Sequence, residues 1–150
     1  MKSRKFIRDG QEWELPDAFY RVSIKLIIKN SEDKLLVVMD KNTDDWEVPG
    51  GGLDHGETIK QTAEREIREE LGVKLLKFDD KPIVITLGLH PNNYMTLMQY
   101  YWGEISGYDF TLEEKFESKF VDKAEFLNLK MMGDESPIQK HANLIWPETK

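Results

Sequence analysis

The chain contains no cysteine. Disulfides, thiolate nucleophiles and Cys-ligated zinc are thereby excluded, and a Cys-free chain fits a reducing compartment. Histidine is scarce, with three residues in 150; neither His55 nor His90 has a second histidine at metal-ligand spacing. No apolar run approaches the roughly 18 residues that a membrane-spanning helix needs. The start of the chain, M-K-S-R-K-F-I-R-D, is charged and leads into no apolar segment, unlike a signal peptide. The resulting expectation is a cytoplasmic protein without membrane partners. Positive charge is also in deficit: Lys and Arg number 21 against 28 Asp and Glu, a net −7. Such a surface repels a phosphate backbone, so nucleic acid is not the expected partner. A small phosphorylated ligand would need a local cationic device, such as a metal ion.

What is present suits one globular domain over residues 1–150. Apolar residues make up 39%, charged residues 33% and aromatics 11%, enough for a core without staples. Residues 6–15 suggest a hairpin turning at Asp9-Gly10. Residues 20–29 (Y-R-V-S-I-K-L-I-I-K) read as a strand, and residues 34–39 (K-L-L-V-V-M) as its return after the turn N-S-E-D. Gly50-Gly51-Gly52 reads as a loop of high backbone freedom. A helix is predicted over residues 57–73, with Thr58 and Gln61 as a capping box and Gly72 at its C-terminal end. Residues 82–89 and 94–105 read as strands joined by H-P-N-N, and residues 119–121 as a further short one. A second helix begins at Ser136-Pro137, places Ile138, Ala142 and Ile145 on one face, and ends at Pro147. The fold class expected is α/β, with a mixed sheet between helices.

The informative stretch is residues 51–73, G-G-L-D-H-G-E-T-I-K-Q-T-A-E-R-E-I-R-E-E-L-G-V. On a helix with Glu66 at the origin, Glu70 lies at about +40° and Glu69 at about −60°, so three carboxylates share one face. Ala63, Ile67 and Leu71 follow at about +60°, +100° and +140°, an apolar stripe beside the acidic one. The helix can therefore dock on a sheet while one edge presents carboxylates to a cleft. Like charges this close repel. A hard divalent cation offsets that, and oxygen-only donors suit Mg²⁺ or Mn²⁺. Taken alone, R-E-I-R-E-E is most often a solvated helix face. The full spacing, G-x5-E-x7-R-E-U-x-E-E-x-G-U with U apolar, would arise by chance in a chain of this size on the order of once in ten million.

That spacing resembles the Nudix box of the Nudix hydrolase superfamily at every fixed position: Gly51, Glu57, Arg65, Glu66, Ile67, Glu69, Glu70, Gly72 and Val73. The Pro49-Gly50-Gly51 lead-in and the strand order around the box are similar as well, giving a MutT-like single domain. The resemblance implies an α/β/α sandwich and hydrolysis of a nucleoside diphosphate linked to another moiety, with Mg²⁺ or Mn²⁺ as cofactor. It implies Glu66, Glu69, Glu70 and the Gly50 carbonyl as metal ligands. It also implies a structural ion pair between Glu57 and Arg65.

Water activated by the metal would attack phosphorus while a carboxylate takes its proton. Glu69 is the candidate base within the box, and Glu114 and Glu117 are the candidates in the acidic segment L-E-E-K-F-E beyond it. Arg21, Tyr20 and Tyr94 are candidates for substrate contact, with ion pairing and strand packing as the structural alternatives. Nucleoside triphosphates, nucleotide sugars and ADP-ribose all remain open as substrates. The rival reading is a nucleotide-sensing module of the same fold that does not cleave. A homodimer is compatible with the sequence.

Overall fold

The computed structural model describes residues 3–16 and 18–148. In chain order its elements are β1 (Ser3–Arg8), β2 (Gln11–Pro16), β3 (Tyr20–Ile27), β4 (Leu35–Asp40), β5 (Asp45–Glu47) and β6 (Gly50–Gly52). Helix α1 (Ile59–Leu71) precedes β7 (Leu75–Phe78), β8 (Val84–Leu89), β9 (Met95–Ile105) and β10 (Phe116–Val121). Helix α2 (Lys123–Asn128), a 3-10 helix (Ser136–His141) and α3 (Ala142–Ile145) complete the order. Among the described residues no helix is long and apolar enough to cross a membrane.

The central sheet runs β6-β3-β9-β7, with β8 also paired to β9. Strands β3 and β9 are parallel while the other pairs in it are antiparallel, so the sheet is mixed. A second sheet has the order β10-β4-β5. The apolar run of β4 and the continuous burial of residues 23–27 in β3 are explained by cover on both faces. Ile24, Leu26, Leu36 and Val38 face Ala63, Ile67 and Leu71 of α1. The alternate residues Ile27, Leu35 and Val37 face Phe126, Ile138, Ala142 and Ile145 on the other side. Helices thus cover both faces, as an α/β/α sandwich requires.

Local signals placed α1 correctly. The Thr58 hydroxyl accepts from Gln61 N at 3.1 Å while the Gln61 side chain accepts from Thr58 N at 2.9 Å, and Gly72 ends the helix with φ 69°. Three expectations need correction. Strands β3 and β4 do not form a hairpin: they meet at Lys29–Leu35 and diverge, because β4 is taken by β10 and β5. Residues 50–52 form a strand against β3 instead of a free loop. The second helix is a 3-10 segment followed by a four-residue α-helix. Ser136 does not cap it, since its hydroxyl donates back to Gly133 O at 3.1 Å. Its apolar face is as expected, with Ile138, Ala142 and Ile145 buried.

Candidate functional site

Strand β6 lies against β3 in the register Lys25–Gly50, Ile24–Gly51, Ser23–Gly52. Glycine serves close approach here. A Cβ at Gly50, where φ is 135°, would stand 2.1 Å from Ile24 O. A Cβ at Gly51 would stand 2.4 Å from the Glu66 carboxyl carbon. The bare backbone therefore lets Glu66 fold in under β6 at the edge of a cleft of about 530 Å³.

Arg65 organises this edge. Its Nε and Nη2 donate to the two carboxylate oxygens of Glu57 at 2.6 and 3.0 Å, and Nη2 also donates to Gly52 O at 3.0 Å. This bidentate pair ties α1 to the loop before it. Hydrogen bonds from Arg65 and from the Thr62 hydroxyl hold the Glu57 carboxyl down at about 2. Arg65 Nη1 reaches Glu66 Oε1 at 2.7 Å and Glu69 Oε2 at 3.3 Å.

The three carboxylates of the helix edge differ in setting. Glu70 is half-buried, accepts from Gly50 N at 3.2 Å, and lines the cleft with Glu66. Its pKa is pushed well above the usual carboxylate range, first by burial and then by Glu47 and Glu66; Lys25 and the Gly50 N–H oppose the shift. Glu69 is more than half exposed and does not line the cleft. Glu114 and Glu117 are exposed and do not line it either; Leu112 and Phe116 are the side chains that this segment turns toward Glu47 and Glu70. Of the substrate candidates, Arg21 and Tyr94 line the cleft and Tyr20 does not. Arg21 is already engaged, donating to Leu53 O at 2.8 Å and standing 3.4 Å from Asp54.

These donors fit a divalent cation. They are all oxygen, and the carboxylates of Glu66 and Glu70 line one cleft beside the Gly50 backbone. The cage is not preformed: among the described residues no three His, Cys, Asp or Glu side chains already stand as a metal-binding group. Glu66 and Glu69 are both turned into Arg65, so a cation held by them would have to draw them away from it.

A NUDIX domain family model matches residues 19–140, which include this whole edge and omit β1 and β2. The chain belongs to the NUDIX family. Nudix hydrolase 26 of Arabidopsis thaliana, chloroplastic, is 29% identical over 126 residues, covering 83% of this chain. The match spans 57% of that relative, little more than half its length. An RNA pyrophosphohydrolase of Legionella pneumophila is 38% identical over 56 residues, 37% of this chain and 32% of that protein. The solution structure of the E. coli ORF135 protein superposes with a TM-score of 0.69 at 17% identity, covering 87% of this chain and 95% of that one. That likeness shows the fold.

Several residues of this NUDIX cleft had escaped the reading of the sequence. Lys25 lies 2.6 Å from Glu135 and 3.7 Å from Glu47, and donates to Val48 O at 3.1 Å. Glu135 in turn accepts from Val48 N at 2.8 Å. Burial disfavours the Lys25 ammonium, but Glu135, Glu47 and Glu70 outweigh burial and hold its pKa well above the usual value. Glu47 is raised by burial, against the pull of Lys25. The only signal was a lysine inside the apolar run I-K-L-I-I. Farther along, Asp134 and Thr96 line the cleft almost wholly buried, and neither Asp134 Oδ1 nor Thr96 Oγ1 has a hydrogen-bond partner.

Proposed function

We propose that this chain hydrolyses a phosphoanhydride bond in a nucleoside diphosphate linked to another moiety, with Mg²⁺ or Mn²⁺ as cofactor. One observation carries the reading: half-buried Glu70 and folded-in Glu66 line one cleft together with the cationic side chains of Arg8, Arg21 and Lys25 and the rings of Phe6, Phe19 and Tyr94. Such a cleft offers groups for a cation and a phosphate together with room for an organic group.

Glu66, Glu69, Glu70 and the Gly50 carbonyl would hold the cation. When bound, it supplies charge neutralisation of the diphosphate and acidifies the attacking water. Buried Lys25 offsets the repulsion between Glu70 and Glu47. Glu69 is the base assigned here, because it stands on the helix edge with solvent access and is held by one weak contact to Arg65. Arg65 positions the acidic edge through Glu57 and need not touch substrate. The candidates are small nucleotide derivatives such as nucleoside triphosphates, nucleotide sugars and ADP-ribose. The site works in a protein expected to be cytoplasmic.

The test is product release from a panel of nucleoside triphosphates, nucleotide sugars, ADP-ribose and a 5′-triphosphorylated RNA, each with Mg²⁺ or Mn²⁺. The reading requires metal-dependent turnover of at least one small nucleotide, with Glu66→Gln, Glu69→Gln and Glu70→Gln each losing about 10²-fold or more. No release from any compound with either metal would refute it. Nucleotide binding without release would leave the non-cleaving sensor as the better reading.

A further inference from the structure

We infer that the β1–β2 hairpin, which lies outside the NUDIX match, is a wall of the substrate site, and that Phe6 on it is a specificity-determining contact for a nucleobase. The inference rests on the proposed site for its phosphate end only. Alternation along β1 puts Arg4, Phe6 and Arg8 on one face and Lys5 and Ile7 on the other. The first face looks into the molecule, where Phe6, Arg8 and Asp9 line the same cleft as Glu66 and Glu70.

The hairpin is held there by specific contacts. Asn93, in the turn between β8 and β9, donates from Nδ2 to Lys5 O at 3.3 Å. Its Oδ1 accepts from Arg4 Nη2 at 3.4 Å. The Phe6 ring meets Tyr94 edge-on, with centroids 5.7 Å apart and planes at 84°. Phe19 meets the same tyrosine at 6.3 Å and 81°. Tyr94 is itself fixed by His90, stacked on it at 4.5 Å with planes only 6° apart. The result is an aromatic corner in which Tyr94 is locked by its neighbours while Phe6 and Phe19 both line the open cleft.

A second observation says that the corner takes a ligand with polar edges. Asp134 Oδ1 and Thr96 Oγ1 are buried in the same cleft without partners. Buried polar atoms are ordinarily paired, and leaving them unpaired is costly. An ionised carboxylate can only accept, so a ligand that pairs with Asp134 would present N–H or O–H donors. A planar π face together with N–H donors is the chemistry of a nucleobase. Inorganic polyphosphates and phosphorylated polyols lack the flat face, so the hairpin sorts substrates by whether they carry a base.

The experiment uses the full chain and two readouts. Steady-state kinetics are measured on the best nucleotide from the panel and on inorganic triphosphate, which lacks the base. Nucleotide binding is followed separately through intrinsic tryptophan fluorescence, to which Trp13, paired with Phe6 across the hairpin register, contributes. Phe6→Ala should raise KM for the nucleotide about tenfold with kcat within about twofold, the loss expected for one stacking contact. It should leave the base-free compound unchanged, and Phe6→Tyr should restore the nucleotide KM. Ile7→Ala, on the outer face of the same strand, should change nothing. Should Phe6→Ala act through a detached hairpin, Asn93→Ala would reproduce the whole effect and Phe6→Leu would not, and the inference would fall. An unchanged KM, or an equal rise for the base-free compound, would also overturn it. If no compound is cleaved but Phe6→Ala weakens nucleotide binding about tenfold, the hairpin inference stands while the hydrolytic reading fails.

Discussion

Replacing Lys25 with methionine tests whether the buried charge network holds the cleft together. Its ammonium is 5% exposed and lies 2.6 Å from the fully buried Glu135, with Glu47 at 3.7 Å. Removing one partner of a buried pair leaves the other uncompensated, which costs about 3–5 kcal/mol. For a chain of this size that corresponds to a fall in Tm of roughly 6–20 °C. Glu135→Gln should cost less, about 1–3 kcal/mol, because glutamine still accepts the Val48 N–H and Lys25 keeps Glu47.

The double variant Lys25→Met/Glu135→Gln should recover at least about 1 kcal/mol relative to the sum of the single losses, since no charge is then stranded at that position. The deficit of Lys25→Met should also depend on pH. Without the lysine the already raised Glu70, Glu47 and Glu135 rise further, so the folded state holds protons that the unfolded state releases above about 4.5. Stability contributed by such protonated acids is present below the unfolded pKa and is lost as pH rises. The deficit therefore grows from about pH 5 to pH 8. Urea unfolding followed by tryptophan fluorescence measures all of this. A loss below about 1 kcal/mol for Lys25→Met, or strict additivity in the double variant, would refute the idea that this network is a stability element.

What could be read in advance follows from how local each interaction is. Helix α1 was legible because Thr58, Gln61 and Gly72 act within a turn of their own positions and the apolar stripe repeats at helical spacing. The acidic edge was legible for the same reason. Strand pairing was not: β4 is apolar on both faces and β3 buries Ser23 and Lys25 as well as Ile24 and Leu26, so no pattern records which neighbour each takes, and a short turn between them suggested a hairpin that β10 and β5 pre-empt. The glycine run was read as backbone freedom, and only the positions of Ile24 and Glu66 show that it serves close approach. Glu114 and Glu117 looked suitable by composition, yet strand β10 turns Phe116 inward and leaves Glu117 outside. The partners of Lys25 come from β5 and from the segment before the 3-10 helix, where nothing in the neighbouring sequence marks a buried carboxylate. The hairpin was foreseen from Asp9-Gly10, but its docking depends on Asn93 and Tyr94, at the far side of the domain in sequence.

Three further outcomes follow from the same contacts. Glu57, held down at about 2 by Arg65 and Thr62, contributes stability that is present above its unfolded value near 4.5 and is lost as pH falls toward 2; Glu57→Gln should therefore flatten the acid limb of a stability profile between those values, as circular dichroism during acid titration would show. Gly88→Ala would place a methyl 2.1 Å from Asp134 O, a backbone atom that cannot step aside, so calorimetry should find a loss of about 1–3 kcal/mol. Gly51→Ala should separate activity from stability. The added methyl meets the Glu66 carboxylate at 2.4 Å, and that is the mobile end of a side chain, so the fold can accommodate it by turning Glu66 out of the cleft. Urea unfolding should then show only a small change while metal-dependent turnover falls about 10²-fold, the loss expected when a charge-stabilising group leaves its place. Equal losses in stability and turnover would mean that Glu66 cannot move, and unchanged turnover would mean that its position under β6 is irrelevant to the chemistry.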